Sequence, residues 1–459
     1  MSTSERIEQL FKKVLPAPFS IAVLLTFFTF FLALFLTEKD LAIGNHAYKI
    51  LNYWETGIWK QSLLAFAIQM MLMLVLGHIL ALSKPFEYLI NKASKYCSNT
   101  ANSAAIVCFL TVFISLFNWG LGLIFGAIFA RKIAEQAKKN SKKLNYPLVG
   151  AAAYSGLMVW HGGLSGSAPT KVADNGHIQN IMQSILSKEQ IDLLPEKIEI
   201  SETIFSGMNI TASILLLAIL PLAMYFIGKK TASKQSLLPD FNDPITDKKE
   251  KPIGAEKLDQ SQVFSLLIGA IIVIYAIHKI YISGKDVINP NFINLMLLGL
   301  ALACHKSVNQ FLKALDKAIS GASGILIQFP LYFGIMGIMT DSGLVSYFSD
   351  FFVSISNNTT FPIFTFISAG LVNIFVPSGG GQWAVQGPII IEASQQLNIG
   401  LGKSVMALSY GDQLTNMLQP FWALPLLGIT GLKAKEILPY TMILFVLGLL
   451  IFISCLLIF

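Results

Sequence analysis

Asn373-Ile-Phe-Val-Pro-Ser-Gly-Gly-Gly-Gln-Trp-Ala-Val-Gln-Gly-Pro388 sets four glycines, a serine and two glutamines between long apolar runs. Such a stretch makes a poor helix, because Gly and Pro cost roughly 1 and 3 kcal/mol per residue in a helix interior. Hydrocarbon has no water to satisfy the backbone groups they free, so irregular backbone at membrane depth persists only where protein or an aqueous cavity surrounds it. If the flanking runs lie in a bilayer, this polar break is a candidate ligand site.

The composition places them there. Of 459 residues, 54% are hydrophobic and 13% charged, against about 25% charged in a soluble domain, and the mean hydropathy is +0.62. Apolar runs of about 20 residues, the length a helix needs to span hydrocarbon, recur along the whole chain. The expectation is an all-α polytopic protein in a lipid bilayer. A net charge of +7 would suit nucleic acid, but the lysines fall in short loops between spans, the pattern that orients membrane proteins. Nucleic-acid binding is therefore not expected. Cys97, Cys108, Cys304 and Cys455 have neither disulfide-framework nor zinc-site spacing. Arg6, Lys12 and Lys13 precede the run Phe19 to Leu36, which exceeds a signal-peptide core and reads as a retained first helix.

Further spans are expected near 59–82, 203–228, 261–283, 318–340 and 437–459, with a shorter helix near 291–304 and a mixed loop before 59. Residues 101–130 are apolar but interrupted at Asn118-Trp-Gly-Leu-Gly122, which reads as a hairpin tip; a second hairpin is expected at about 358–394. Broken helices are expected at about 147–173, through His161-Gly-Gly-Leu-Ser-Gly-Ser-Ala-Pro169, and at about 403–430, through Gly411-Asp-Gln-Leu-Thr-Asn416 and Gln419-Pro420. The loop 131–146 carries Arg131, Lys132, Lys138, Lys139, Lys142 and Lys143 against Glu135 alone, marking it cytoplasmic. Six acids and two lysines in 174–202 place that segment outside.

The halves resemble each other. Asn118 aligns with Asn373, Tyr154-Ser-Gly156 with Tyr410-Gly-Asp412, and Ile68-Gln-Met70 with Ile327-Gln-Phe329, in the same order and at nearly constant spacing. Loop charge brings the first hairpin in from the cytoplasm and the second from outside, so the repeats are inverted. The expected division is a first repeat over 1–228, a charged cytoplasmic linker and connecting span over 229–290, and a second, inverted repeat over 291–459. With re-entrant hairpins the chain has nine spans; with fully spanning ones, thirteen. Inverted repeats with interrupted transmembrane helices are a secondary-transporter architecture, in which half-helix ends face substrate and coupling ion near the midplane. Close helix packing is the alternative use of Gly120, Gly122 and Gly126.

Asp412 is an acid inside a span, and an ionisable group at that depth is costly enough to point to function. With Gln413, Thr415 and Asn416 it is the candidate site for a coupling proton or Na+; a structural carboxylate is the alternative. His161 opens the other break and belongs, with Asn118, Gly120, Gly162, Gly163, Ser165 and Ser167, to the candidate substrate site. From the second half come Asn373, Pro377, Ser378, Gly379, Gly380, Gly381, Gln382, Trp383 and Gln386. Trp119, Trp160 and Trp422 lie beside the breaks, and Trp383 is the first choice to wall an apolar pocket. The set has almost no Lys or Arg, which suits a small monoanion held by hydroxyls, amides and helix N-termini. No GxxxxGK[ST] motif is present, so ATP is not expected as the energy source. No cofactor is expected beyond H+ or Na+.

Val376-Pro-Ser-Gly-Gly-Gly-Gln-Trp-Ala-Val-Gln-Gly-Pro388, with the breaks at Asn118–Gly122 and His161–Pro169, closely resembles the bacterial short-chain fatty acid transporters of the AtoE type, along essentially the whole chain. More distantly the chain looks like the ion transporter superfamily. The resemblance implies gradient-driven uptake of butyrate- or acetoacetate-like monocarboxylates across the bacterial inner membrane, with superfamily members often working as dimers by an elevator motion. The Ser-Asn-Thr sodium signature of the superfamily's dicarboxylate carriers is absent from the tips. Competing readings are a dicarboxylate or amino-acid carrier, a small-anion channel, and a membrane enzyme using Asp412 with His161; an enzyme is not expected.

Overall fold

The computed structural model describes residues 18–37, 42–85, 88, 92, 96–182, 188–192, 194–231, 254–283 and 290–459. The basic N-terminal residues Arg6, Lys12 and Lys13, and most of the 229–260 linker with Pro239, Pro244 and Pro252, lie outside the described residues. Among the described residues, helix is the regular secondary structure throughout. The first half comprises α1 (Pro18–Leu36), α2 (Ile43–Ile58), α3 (Gln61–Ala81), α4 (Thr100–Phe117), α5 (Trp119–Lys139), α6 (Tyr146–Tyr154) and α7 (Gly207–Lys230). After α8 (Gln262–Ser283) come α9 (Pro290–Cys304), α10 (Val308–Ile319), α11 (Ser323–Asp341), α12 (Leu344–Ser354), α13 (Phe361–Phe375), α14 (Gly379–Gln396), α15 (Leu401–Thr415), α16 (Pro420–Thr430) and α17 (Ala434–Ile458).

Seven helices among the described residues are long and apolar enough to cross a membrane: α1, α3, α4, α7, α8, α11 and α17. Many of their side chains remain exposed, including Phe27, Phe31 and Phe35 on α1 and Ile271 and Ile274 on α8. In water such surfaces would be a liability; against lipid tails they are at rest. The protein is a multi-pass membrane protein.

Several features depart from the expected elements. Residues 131–139, read as part of the basic loop 131–146, continue α5 to Lys139, and α12 falls in a stretch given no element. Residues 43–58, read as a mixed loop, form the amphipathic helix α2, which packs along α11. The expected span at 318–340 is preceded by a separate amphipathic helix, α10, whose Ser307 caps it by accepting the Gln310 N–H at 3.2 Å. The polar face of each short helix hides its period from a hydropathy window.

The hairpins and broken helices form where the sequence interrupts. Asn118 stands in extended conformation between α4 and α5, and its Oδ1 accepts the Leu121 N–H at 2.9 Å. Ser378, likewise extended, caps α14 by accepting the Gly381 N–H at 3.2 Å. Past α6 the chain tightens into 3-10 turns at Ser155–Met158 and Trp160–Gly162. Past α15 it makes one 3-10 turn, Asn416–Leu418, goes extended at Gln419 and restarts at Pro420, as the residue before a proline favours.

Glycines set the closest helix crossings. A Cβ on Gly337 of α11 would lie 2.9 Å from the Gly57 Cα of α2, and one on Gly411 of α15 would lie 2.9 Å from the Gly370 N of α13. The matching crossing in the first half joins Gly156 to Thr111 and Ser115 of α4.

Between α6 and α7, the described residues of 167–206 pack over α14, through Ser167–Lys171 and His177–Met182. Val172, Ile178, Met182, Leu194 and Ile198 form a second apolar cluster with Trp383, Ile390 and Ile391. The Trp383 Nε1–H donates to His177 Nε2 at 3.0 Å.

Two expectations follow. Gly337→Val forces α2 away from α11, an overpacking cost of about 1–3 kcal/mol, and is expected to lower the melting temperature of the detergent-solubilised protein; an unchanged melt would show that the crossing tolerates a side chain. Burial, and then Lys171, hold the His177 pKa below its ordinary 6.5, with Asp174 opposing. The folded state therefore prefers the neutral ring that accepts from Trp383. This stabilisation is complete above the ordinary histidine value and is lost as pH falls through it toward the lower folded value. Melting curves between about pH 7 and pH 5 should show part of the acid-side loss, and His177→Gln, which keeps an acceptor without titrating, should remove that part.

Candidate functional site

The two hairpin tips and the two helix breaks meet, and each break satisfies backbone freed by the other. Gln413 Oε1 of α15 accepts the N–H groups of His161 and Gly162 at 2.9 and 3.2 Å. In return, the Tyr154 hydroxyl at the end of α6 donates toward the Asn416 and Gln419 carbonyls at 2.9 and 3.3 Å. Asn209 of α7 donates to the Gly162 carbonyl at 2.8 Å, and Tyr410 of α15 donates to Asn209 Oδ1 at 3.1 Å.

At the first tip, Ser165 Oγ accepts the Trp119 N–H at 3.0 Å and the Leu164 N–H donates to the Leu116 carbonyl at 2.8 Å. The 163–166 loop thus closes the start of α5. Gly163 lies against the Leu116 backbone, Gly162 against Asn209, and Gly120 against Met73 of α3. These three glycines serve close approach.

At the second tip, Gly379 abuts the first broken helix: a Cβ there would sit 2.8 Å from the Trp160 ring, 3.0 Å from His161 Cε1 and 3.2 Å from Ser167 Oγ. Gly380 faces open space, with nothing within 4 Å of an added Cβ. The first N–H groups of α14 have no partner within the helix, and Ser378 takes only that of Gly381. Gln382 Nε2 donates to the Ala369 carbonyl at 2.9 Å and to Gln386 Oε1 at 2.7 Å, and Gln386 Nε2 donates to Ser368 Oγ at 3.2 Å. This chain ties α14 to α13.

His161 and Asp412 are 0% and 1% exposed, with Nδ1 and Oδ1 3.6 Å apart, beyond a hydrogen bond. His161 Nε2 accepts the Ala168 N–H at 3.0 Å, so the neutral ring carries its proton on Nδ1, facing the carboxylate. Beside the pair, Asn373 Nδ2 donates to the Asp412 carbonyl, Thr415 Oγ1 and Asn416 Oδ1 at 2.7, 2.9 and 2.9 Å. Gln419 Nε2 donates to the Asn373 carbonyl at 2.6 Å. These bonds leave Asn373 Oδ1, Gln382 Oε1, Gln419 Oε1 and Asp412 Oδ2 buried without a hydrogen-bond partner. Asn416 Nδ2 and His161 Nδ1 are likewise without a hydrogen-bond partner; the unpaired oxygens, each costing about 1–3 kcal/mol, suit a proton or a hard cation, which oxygen ligands favour.

The structure brings Asn118, His161, Ser165, Ser167, Ser378, Gly379, Asp412 and Gln413 to one meeting point and sets Trp383 apart, under the 167–206 cover. The aromatic group at the junction is Trp119, Trp160 and Trp422, with Trp119 edge-on to Trp422 at 5.2 Å and to Trp160 at 6.0 Å. Asn373, grouped by sequence with the substrate residues, binds the Asp412 segment instead. Tyr332 and Phe421, which no motif marks, also reach the second tip. They lie in apolar runs, where neither a charge nor a glycine cluster signals them.

The chain matches the family described as "Short chain fatty acid transporter" over residues 2–459. A protein of Escherichia coli strain K12, named "Putative short-chain fatty acid transporter", is 36% identical over 449 residues, covering 95% of this chain and 96% of that one. A Haemophilus influenzae protein of the same name is 37% identical over 435 residues, covering 94% and 93%. The solved Alcanivorax borkumensis YdaH transporter aligns over 96% of this chain and 97% of its own, with a TM-score of 0.46 and 12% identity. Matched end to end by that family and at more than a third identity by two of its relatives, the chain belongs to the short-chain fatty acid transporter family.

Proposed function

We propose that the protein is a secondary active carrier of short-chain monocarboxylates in the bacterial inner membrane, taking up butyrate- or acetoacetate-like anions with H+ or Na+ by alternating access. The reading is of a transporter rather than an enzyme, built from two inverted repeats with re-entrant hairpins. Homodimerisation is part of the proposal.

The observation that carries it is the buried Asp412–His161 pair, 3.6 Å apart, set among unpaired oxygens where the two breaks meet. A carboxylate there is tolerable when protonated or when a cation neutralises it. Loading that site removes the mismatch and couples ion entry to the seating of the second tip, since Gly379 touches His161. No lysine or arginine takes part in this hydrogen-bonded network, which favours a monoanion over a dicarboxylate. Within the first hairpin the arms differ: α4 is long and apolar enough to cross a membrane, whereas the apolar part of α5, 119–130, would extend only about 18 Å as a helix against a hydrocarbon core of about 30 Å, and the re-entrant reading rests on α5.

Labelled butyrate uptake into proteoliposomes, under a proton gradient and a sodium gradient imposed separately, tests the reading. Accumulation is expected under one of them. Asp412→Asn should lower accumulation about tenfold or more, the effect of removing ~1.4 kcal/mol, while leaving the melting temperature close to wild type. If folded wild-type protein accumulates no butyrate under either gradient, the assignment fails.

A further inference from the structure

A cavity of about 160 Å3, which His161 does not line, lies at the second tip between α3, α11 and the start of α16. Tyr332, Phe333, Met336 and Phe421 wall it, and Pro377 and Ser378 form one end. The apolar walls are firm: Phe421 stacks on Phe329 at 4.1 Å and meets Tyr332 edge-on at 4.9 Å. The lining combines an apolar surface with two polar groups. Ser378 Oγ, having accepted the Gly381 N–H, keeps its own proton to donate. The Tyr332 hydroxyl, on a side chain 2% exposed, has no hydrogen-bond partner. A buried hydroxyl left unpaired is costly and marks a place where a partner is missing.

We infer that this cavity is the acyl-tail pocket, an inference that rests on the proposed monocarboxylate transport. The carboxylate sits at the first turn of α14, taking hydrogen bonds from the Ser378 hydroxyl, the leading N–H groups and Tyr332. The tail lies among Phe333, Met336 and Phe421. Size argues for this class of ligand: an apolar cavity of about 150 Å3 takes benzene, with six heavy atoms, and butyrate also has six. A long-chain fatty acid does not fit. Met336 then sets the volume open to the ligand: it is the flexible side chain of the lining, and its Sδ would lie 3.4 Å from a Cβ on Gly381 at the tip.

Equilibrium dialysis of labelled butyrate against the detergent-solubilised full-length protein, with acetate, butyrate, hexanoate and octanoate as competitors, tests the pocket. Met336→Ala is expected to favour hexanoate over butyrate by about tenfold relative to wild type, within the 10- to 200-fold range a methylene is worth in an apolar pocket, and Met336→Phe to shift preference toward acetate. Tyr332→Phe keeps the wall and removes the hydroxyl; it should weaken all four ligands alike without changing their order. Wild-type binding with an unchanged order in both Met336 variants, and unchanged affinity in Tyr332→Phe, overturns the pocket and leaves the transport reading standing. Wild-type protein that binds none of the four acids overturns both.

Discussion

A backbone group freed inside hydrocarbon finds no water, and the architecture at the centre of this protein answers to that constraint. Each helix break exposes N–H and C=O groups that its own segment does not reach. Gln413 takes two donors of the first break, while Tyr154 reaches two acceptors of the second. Exchange of this kind makes the breaks one unit. Each break is braced by the other, so the site is built from both halves of the chain at once.

The same accounting explains why the site is rich in acceptors. Three amide donors near the tips are committed: Asn373 Nδ2 to the Asp412 carbonyl, Thr415 Oγ1 and Asn416 Oδ1, Gln419 Nε2 to the Asn373 carbonyl, and Gln382 Nε2 to the Ala369 carbonyl and Gln386 Oε1; Asn416 Nδ2 and His161 Nδ1 stay without a hydrogen-bond partner. Side-chain oxygens of the same amides are left over, those of Asn373 and Gln419 beside the Asp412 segment. The apolar cavity at the tip has a different balance, with the Tyr332 and Ser378 hydroxyls in its lining. One short glycine-rich turn therefore divides a region suited to positive charge from one suited to a carboxylate.

Much of this was legible in the sequence, because membrane helices advertise themselves by length and apolarity, and breaks by glycine, proline and an acid such as Asp412. The main spans and the hairpin tip at Asn118 follow from those signals, whereas the capping by Asn118 and Ser378 is known from the fold. What escaped has a common cause. Helices α2 and α10 are half polar, so their apolar residues average out along a window. Tyr332 and Phe421 sit in runs where an aromatic is unremarkable, and only the fold turns them toward Ser378. Trp383 looked like pocket wall by its position in the glycine motif, but the helical turn it occupies faces His177 and the 167–206 cover.

The cross-bracing of the breaks also bears on biosynthesis. Residues 154–162 leave the ribosome about 250 residues ahead of 413–419, at roughly 5–20 residues per second. For that interval the first break has no Gln413 to receive its N–H groups and Tyr154 has no carbonyls to bind. The nascent first half must enter the bilayer as a continuous helix, as a wet and loosely packed segment, or under the care of an insertase, and reach its interrupted form only after the second half arrives. Closure at the centre is thus a late, long-range event, and a nascent chain stalled before Gln413 would display the unsatisfied polar groups by which a quality-control protease recognises an unfinished membrane protein.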